Sequence, residues 1–114
     1  MHIEFQTTEN VLTARMEGSM DTGALTYFDQ VPQFRQVPQD VILDLSQVDF
    51  MDSAGLGALV ALIRKHKEAG RRCMLAAPSP LVARILKLTA IHVLTPVVAS
   101  LDEALRWLRE NPSP

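Results

Sequence analysis

Residues 41–59, VILDLSQVDFMDSAGLGAL, carry the strongest indication of the architecture of this chain. The first part of this stretch, Val41 to Leu45, is an almost continuous apolar run, which predicts a central strand covered on both faces. From Ser53 to Ala69, apolar residues recur every three or four positions, which predicts an amphipathic helix that Gly70 ends. The apolar positions are Leu56, Leu59, Val60 and Ile63. A buried strand followed at once by such a helix indicates an α/β fold.

The residues before this stretch predict a hairpin. Apolar and polar residues alternate around Ile3 and Phe5, and they alternate again over residues 12–17. The link at residues 8–10 is short, which favours antiparallel pairing of the two strands. One sheet edge near Ile3 is then open to pair or to stay free, so we expect a monomer or a weak dimer.

A helix is predicted after the hairpin, with Asp21 or Thr22 as its cap. Its inward face would carry Ala24, Leu25 and Phe28. The proline-containing segment 31–38 is expected to be mostly loop, with at most a last helical turn near Phe34.

The second half continues the alternation of strands and helices. Residues 73–77 predict a buried strand, and Ser79 with Pro80 predicts the start of a helix that ends near Thr89. The buried side of that helix would hold Val82, Ile85, Leu86 and Leu88. Val97 and Val98 form a short strand candidate. Ser100 to Glu103 is a capping box for a last helix, which points Leu101, Ala104, Leu105 and Leu108 inward and ends at residues 111–114.

These patterns together predict one domain, residues 1–114, of the α/β class. We expect a mixed sheet in which an antiparallel hairpin is followed by parallel strands alternating with helices, with about four to five strands and four helices. A chain of 114 residues is long enough to bury one hydrophobic core without the help of disulfides or structural metals.

Composition narrows the classes of function. The net charge of -2 gives no reason to expect a nucleic-acid partner, and the basic cluster at residues 64–72 is typical of a solvated helix end. Cys73 is the sole cysteine and lies in an apolar run, so we expect a buried, inert thiol. The start of the sequence lacks the pattern of a secretory signal, and the apolar stretch 54–63 is too short to cross a bilayer. We therefore expect a cytoplasmic protein without direct membrane insertion.

Ser53 is the candidate functional residue. At a helix N-terminus its hydroxyl lies beside unpaired N–H groups and the positive end of the helix dipole, where a phosphate is favoured. The alternative is that Ser53 only caps the helix. Gly55 and Gly57 each cost the helix about 0.8–1 kcal/mol relative to alanine, and they leave its backbone open to close approach. Met51 places an apolar group beside the hydroxyl. From the residues alone, both interpretations of Ser53 stay open.

The run 41–59 closely resembles the STAS domain of bacterial anti-sigma factor antagonists. The segments 18–21 and 100–105 resemble that family's loop ending in aspartate and its last helix start. The resemblance implies a protein that binds an anti-sigma factor, often itself a serine kinase, and so frees a sigma factor. Phosphorylation by the kinase would end the binding, and a phosphoprotein phosphatase would restore it.

The resemblance also implies roles for single residues. Ser53 corresponds to the phosphoacceptor, Asp52 to the residue before it, and Asp21 to a loop aspartate close to the acceptor. The partner contacts would come from Met51, Gly55 and Leu56. The chain departs from many members at Ala54, where they carry serine or threonine, so Ser53 would be the sole acceptor of the motif.

Two other roles within the family remain as alternatives. One is a STAS subunit of a membrane transport (ABC-type) complex, in which the same surface docks permanently. The other is a scaffold in a stress-signalling assembly. Such scaffolds typically carry a sensory domain before the STAS part, and we expect no room for one here.

Enzymatic, metal and nucleotide sites are not predicted. Ser53 lies in half of a Gly-x-Ser-x-Gly elbow, but Met51 replaces the first glycine, and His92 precedes the acids Asp102 and Glu103 where the elbow family has the reverse order. His2, His66 and His92 lack a histidine three or four residues away, so no metal site is expected, and His66 is placed on the flank of its helix. Gly55-Leu56-Gly57 lacks a Gly-Lys-Ser/Thr ending, so the sequence gives no separate support for nucleotide binding. We expect no cofactor.

Overall fold

The structure is a computed structural model that describes residues 1–112. Five strands form one sheet: β1 His2–Thr8, β2 Val11–Met20, β3 Val41–Met51, β4 Cys73–Ala76 and β5 Val97–Val98. Five helices connect or follow them: α1 Ala24–Asp29, α2 Pro32–Gln36, α3 Ser53–Glu68, α4 Pro80–Leu88 and α5 Leu101–Glu110. A 3₁₀ turn covers Ile91–Val93. The predicted end of the last helix falls partly on residues 113–114, which lie outside the described part.

The strands lie in the order in which they occur along the chain. β1 pairs antiparallel with β2, and each later pair is parallel. This arrangement confirms the predicted α/β sheet with an N-terminal hairpin. The additional helix is α2, in the segment expected to be mostly loop. Pro32 occupies its first turn, where a missing N–H costs nothing, and Phe34 is buried at its centre.

The helices divide between the two faces of the sheet. The larger core contains buried side chains of α1 to α4 together with one set of alternating strand residues. The opposite face carries a smaller cluster, in which Ala104 and Leu108 of α5 pack on Ile42, Met74 and Ala76. Both faces of β3 and β4 are therefore covered, which explains why their sequences are almost continuously apolar. No helix in residues 1–112 has both the length and the apolar character required to cross a membrane.

β3 extends six residues beyond the predicted strand, from Leu45 to Met51. Its pairing with β2 shifts twice, because Arg15 and Glu17 lie opposite Asp44 and Gln47, and Gly18 and Ser19 lie opposite Val48 and Phe50. Each shift adds one residue to β3, as in a β-bulge. The alternation that identifies a strand is thereby broken over this part. Met51, which lies beyond the end of the predicted strand, is the buried last residue of β3.

Several side chains lie elsewhere than predicted. Leu25 and Leu88 are exposed, because α1 and α4 each turn those positions away from the core. His66 is buried on the inner face of α3 and not on its flank. Gly23, and neither Asp21 nor Thr22, precedes the first residue of α1. The predicted stop of α3 is confirmed, since Gly70 follows it with a φ of 74°.

Candidate functional site

The ends of β2 and β3 meet at one edge of the sheet. The two strands are parallel neighbours, and their last residues, Met20 and Met51, pair with each other. The residues that follow, Asp21 and Asp52, therefore leave the sheet side by side. This is the edge at which α/β proteins place their binding sites.

Asp52 caps α3. Its carboxylate Oδ1 accepts a hydrogen bond from the N–H of Gly55 at 2.8 Å, and its carbonyl accepts one from the N–H of Leu56 at 2.9 Å. Its own N–H donates to the carbonyl of Met20 at 3.3 Å. The capping interpretation of Ser53 is therefore wrong, because Asp52 does that work.

Ser53 is the first residue of α3 and its side chain is exposed. The first N–H groups of a helix have no partner within the helix, and their dipoles favour negative charge. Ala54 beside it is also exposed. The hydroxyl of Ser53 thus lies on the surface at the positive end of a helix of 16 residues.

Gly55 is buried against the end of β2. A Cβ at this position would lie 1.8 Å from the carbonyl oxygen of Met20 and 3.1 Å from the backbone nitrogen of Asp21. The close approach that Gly55 permits is therefore internal, between α3 and β2. The contact with a partner predicted for Gly55 stays a prediction, and the side of Gly55 that a Cβ would occupy faces β2. Gly57 is different, because it is exposed and a Cβ there would meet nothing within 4 Å.

Asp21 shapes the loop beside this helix start. Its Oδ1 accepts a hydrogen bond from the N–H of Gly23 at 3.3 Å, and its carbonyl accepts one from Ala24 at 2.9 Å. Its backbone lies against Gly55, as the contact distance above shows. The structure thus brings the predicted residues Asp21 and Asp52 to the same place as Ser53.

The apolar surface near Ser53 differs from the prediction. Met51 is only 5% exposed and belongs to the larger core, and its predicted contact with a partner stays a prediction. Leu56 is partly buried against the core. Exposed apolar side chains on β3 and α1 include Phe50, at 46%, and Leu25, at 48%. Sequence reasoning did not single out Phe50, because the predicted strand ended at Leu45 and β3 continues to Met51.

A shallow cavity of about 130 Å³ lies between α1 and α3. Leu25 and Phe28 line it from α1, and Ala58, Ala61 and Leu62 line it from α3. The surface between α1 and the middle of α3, which begins five residues after Ser53, is therefore concave and partly apolar, with Asp29 and Lys65 as its charged lining.

Two of the buried side chains that can titrate are His66 and Cys73. His66 has its Nδ1 2.9 Å from the carbonyl of Leu62 and its ring edge-on to Phe34. Burial lowers the pKa of His66 below its ordinary value. Cys73 is buried in β4, and burial raises the pKa of its thiol to about 12. The prediction of a buried thiol is confirmed.

His2, Glu4 and Glu17 form a surface group whose nitrogen and oxygen ligand atoms lie within 4.8 Å of one another. A pattern of histidines at helical spacing does not reveal this group, because its residues come together only across the β1–β2 hairpin. Arg15 pairs with both carboxylates, at 2.9 Å to Glu4 and 3.1 Å to Glu17. The negative charges of Glu4 and Glu17 are thus partly neutralised by the guanidinium of Arg15.

Known proteins share this sequence pattern and this fold. The family model described as the STAS domain matches residues 2–104. A protein of Paenibacillus polymyxa named anti-sigma F factor antagonist is 27% identical over 112 residues, which cover 95% of each chain.

Two solved structures share the fold at lower identity. The Bacillus cell fate determinant SpoIIAA in its phosphorylated form has a TM-score of 0.66 and 19% identity, over 94% of this chain and 99% of that one. The murine anion transporter Slc26a9 has a TM-score of 0.78 and 19% identity, over 93% of this chain and 19% of the transporter. With residues 2–104 of 114 matched by the family model, this chain belongs to the STAS domain family.

Proposed function

We propose that this chain is an anti-sigma factor antagonist whose binding is ended by phosphorylation of Ser53. The observation that carries the proposal is the exposed hydroxyl at the first position of α3, where Asp52 already caps the helix. A serine without a capping duty at an exposed helix start is available to a kinase. The name of the P. polymyxa relative and the phosphorylated form of SpoIIAA support the same proposal.

The partners are an anti-sigma factor with serine kinase activity and a phosphoprotein phosphatase that reverses the modification. The docking surface is the start of α3 with the neighbouring α1. Leu25 and Phe50 supply exposed apolar contact, and Gly57 leaves the helix backbone open to close approach. Met51 and Gly55 act from inside, by fixing the position of Ser53.

Charge explains how one phosphate ends the binding. A phosphoserine adds about -1.5 to -2 charge at neutral pH. In the free chain, the dipole of α3 stabilises this charge by about 0.3–1 kcal/mol. In the complex the phosphate would be buried beside the carboxylates of Asp21 and Asp52. Burial of an unpaired charge costs several kcal/mol, and a loss of about 3 kcal/mol weakens binding more than a hundredfold.

This mechanism requires no refolding of the chain. The start of α3 is held against β2 by the hydrogen bond from Asp52 to Met20 and by the close contact at Gly55. Added charge at Ser53 therefore changes the surface and leaves the backbone in place. The phosphorylated and free forms should accordingly have similar stability.

Binding of two Ser53 variants tests the proposal. The ligand for the assay is to be an anti-sigma factor with serine kinase activity, sought first among the genes beside this chain's gene, and calorimetry gives the dissociation constants. We expect Ser53→Asp to weaken binding at least about a hundredfold and Ser53→Ala to leave it within about twofold. Ser100→Asp is the matched control, since Ser100 caps α5 on the other face of the sheet and aspartate is an equally good cap. Equal affinities for the two Ser53 variants would refute the switch.

A second measurement tests the modification itself. Incubation of the purified chain with the same anti-sigma factor and ATP should add one phosphoryl group, which peptide mass spectrometry should locate at Ser53. The Ser53→Ala variant should incorporate none. Incorporation at another residue, or equal incorporation by the variant, would contradict the assignment of the acceptor.

A subunit of a membrane transport (ABC-type) complex is the second candidate, and the fold shared with Slc26a9 favours it. In this role the chain would dock permanently, and Ser53→Asp would leave the complex intact. In both candidates the chain binds a partner and catalyses nothing. A permease and ATPase beside the gene, in place of a kinase or phosphatase, would favour the second.

A further inference from the structure

A small polar pocket lies on the face of the sheet that carries α5. Its volume is about 170 Å³, and it lies between the N-terminal hairpin, β3 and the first residue of α5. Thr13 and Asp44 are its buried lining, and Leu101 closes one side. The exposed side chains Glu4, Gln6 and Arg15 surround its opening. We call it the Asp44 pocket.

The buried lining has oxygen atoms without donors. Asp44 is 9% exposed and Thr13 is 7% exposed. Oδ1 of Asp44 accepts a hydrogen bond from the N–H of Ser46 at 2.9 Å. Within residues 1–112 no side chain or N–H donates to Oδ2 of Asp44 or pairs with the hydroxyl of Thr13, neither oxygen is fully buried, and both residues line the pocket. A carboxylate this deeply buried is costly unless donors or a cation compensate it.

Arg15 is the neighbour that would be expected to compensate Asp44. The two residues are paired positions on β2 and β3. The guanidinium of Arg15, however, contacts Glu4 at 2.9 Å and Glu17 at 3.1 Å. One cation thus serves two surface carboxylates, and Asp44 adds a third negative charge. The pocket and its opening carry an excess of negative charge.

We propose that the Asp44 pocket binds an organic cation with N–H donors, namely a primary ammonium or a guanidinium group. The carboxylate of Asp44 is its counter-ion, and the hydroxyl of Thr13 is a second acceptor. The volume is well below the roughly 300 Å³ of a drug-sized pocket, so it accommodates the end of an alkylamine. The cation is either a free small amine or a lysine or arginine side chain of a bound protein.

NMR titration of the full chain tests this proposal. The probes are n-butylamine, agmatine and the capped tripeptide Gly-Lys-Gly, at constant ionic strength. We expect saturable shifts of the amide signals of Thr13, Asp44 and Ser46. Tetramethylammonium, which has the same charge without N–H donors, should produce none. Tighter binding of the tripeptide than of butylamine indicates a protein side chain as the natural source, and weaker binding indicates a free amine.

Three variants assign the binding to the pocket. Asp44→Asn keeps an oxygen acceptor for the N–H of Ser46 and removes the charge, and it should weaken binding about tenfold to a hundredfold. Thr13→Val removes only the second acceptor and should weaken binding less. Asp49→Asn is the matched control, since Asp49 is exposed on the same strand outside the pocket. Absence of saturable shifts with butylamine, equal binding of tetramethylammonium, or equal affinities for the Asp44 and Asp49 variants would overturn the proposal.

Discussion

Replacing Gly55 by alanine tests whether the start of α3 is fixed against β2. The matched control is Gly57→Ala, two residues later in the same helix. A Cβ at position 55 would lie 1.8 Å from the carbonyl oxygen of Met20 and 2.4 Å from its carbonyl carbon, whereas a Cβ at position 57 would meet nothing within 4 Å. The two variants make the same chemical change in opposite surroundings.

The expected magnitudes follow from these distances. Relief of the clash at position 55 to 3.0 Å requires a movement of 1.2 Å, the difference between 3.0 and 1.8 Å. Overpacking of this kind costs about 1–3 kcal/mol, and loss of the hydrogen bond from Asp52 to Met20 costs about 1 kcal/mol more. The higher helix propensity of alanine relative to glycine offsets about 0.8–1 kcal/mol of this cost. We expect Gly55→Ala to lose about 1–3 kcal/mol in the free energy of unfolding and Gly57→Ala to gain up to about 1 kcal/mol.

Urea unfolding followed by circular dichroism measures both variants. If the free energy of unfolding falls with urea concentration at the same slope in both variants, the variants differ in stability and not in the compactness of the unfolded state. If Gly55→Ala is as stable as Gly57→Ala, α3 is not packed against Met20 as described, and the placement of Ser53 loses its support.

Two buried groups give further predictions. Burial lowers the pKa of His66 below its ordinary value of 6.5. As the pH falls, the unfolded chain therefore binds a proton at His66 before the folded chain does. Stability should therefore be full above about pH 6.5 and fall as the pH drops below it, and His66→Gln should remove that part of the slope in urea midpoints measured between about pH 7.5 and pH 5. An identical slope in the variant would contradict this. Burial raises the pKa of Cys73 to about 12, so iodoacetamide at about pH 8 should modify the thiol in denaturant and not in the native chain. Equal rates of modification in the native and the denatured chain would show that Cys73 in β4 is accessible in the native state.

The fold class was predictable because the strands and helices differ clearly in the period of their apolar residues. The strand bounds were not, and β3 shows why. At two points β3 has one residue more than β2, and each extra residue changes the face of the sheet that the following side chains occupy. Apolar and polar residues therefore do not alternate regularly over residues 46–51. A bulge is set by pairing with another strand, and that pairing is absent from the local sequence.

The site was predictable in position and less so in detail. The sequence placed Ser53 at a helix start, and the structure agrees. It did not show that Asp52 is the cap, because serine and aspartate are equally common there. Gly55 was expected to face a partner, and its contact with Met20 is a long-range feature that no helical pattern reports. The oxygens of Thr13 and Asp44 come together only through the pairing of β2 with β3.

The placement of α5 has a consequence for how the chain is made. Within residues 1–112, α5 covers the apolar positions Ile42, Met74 and Ala76, and its residues are synthesised after them. Until residues 101–110 have left the ribosome, α5 cannot cover that part of the central strands. A nascent chain at this stage is vulnerable to aggregation, and chaperone assistance would be needed most just before α5 emerges.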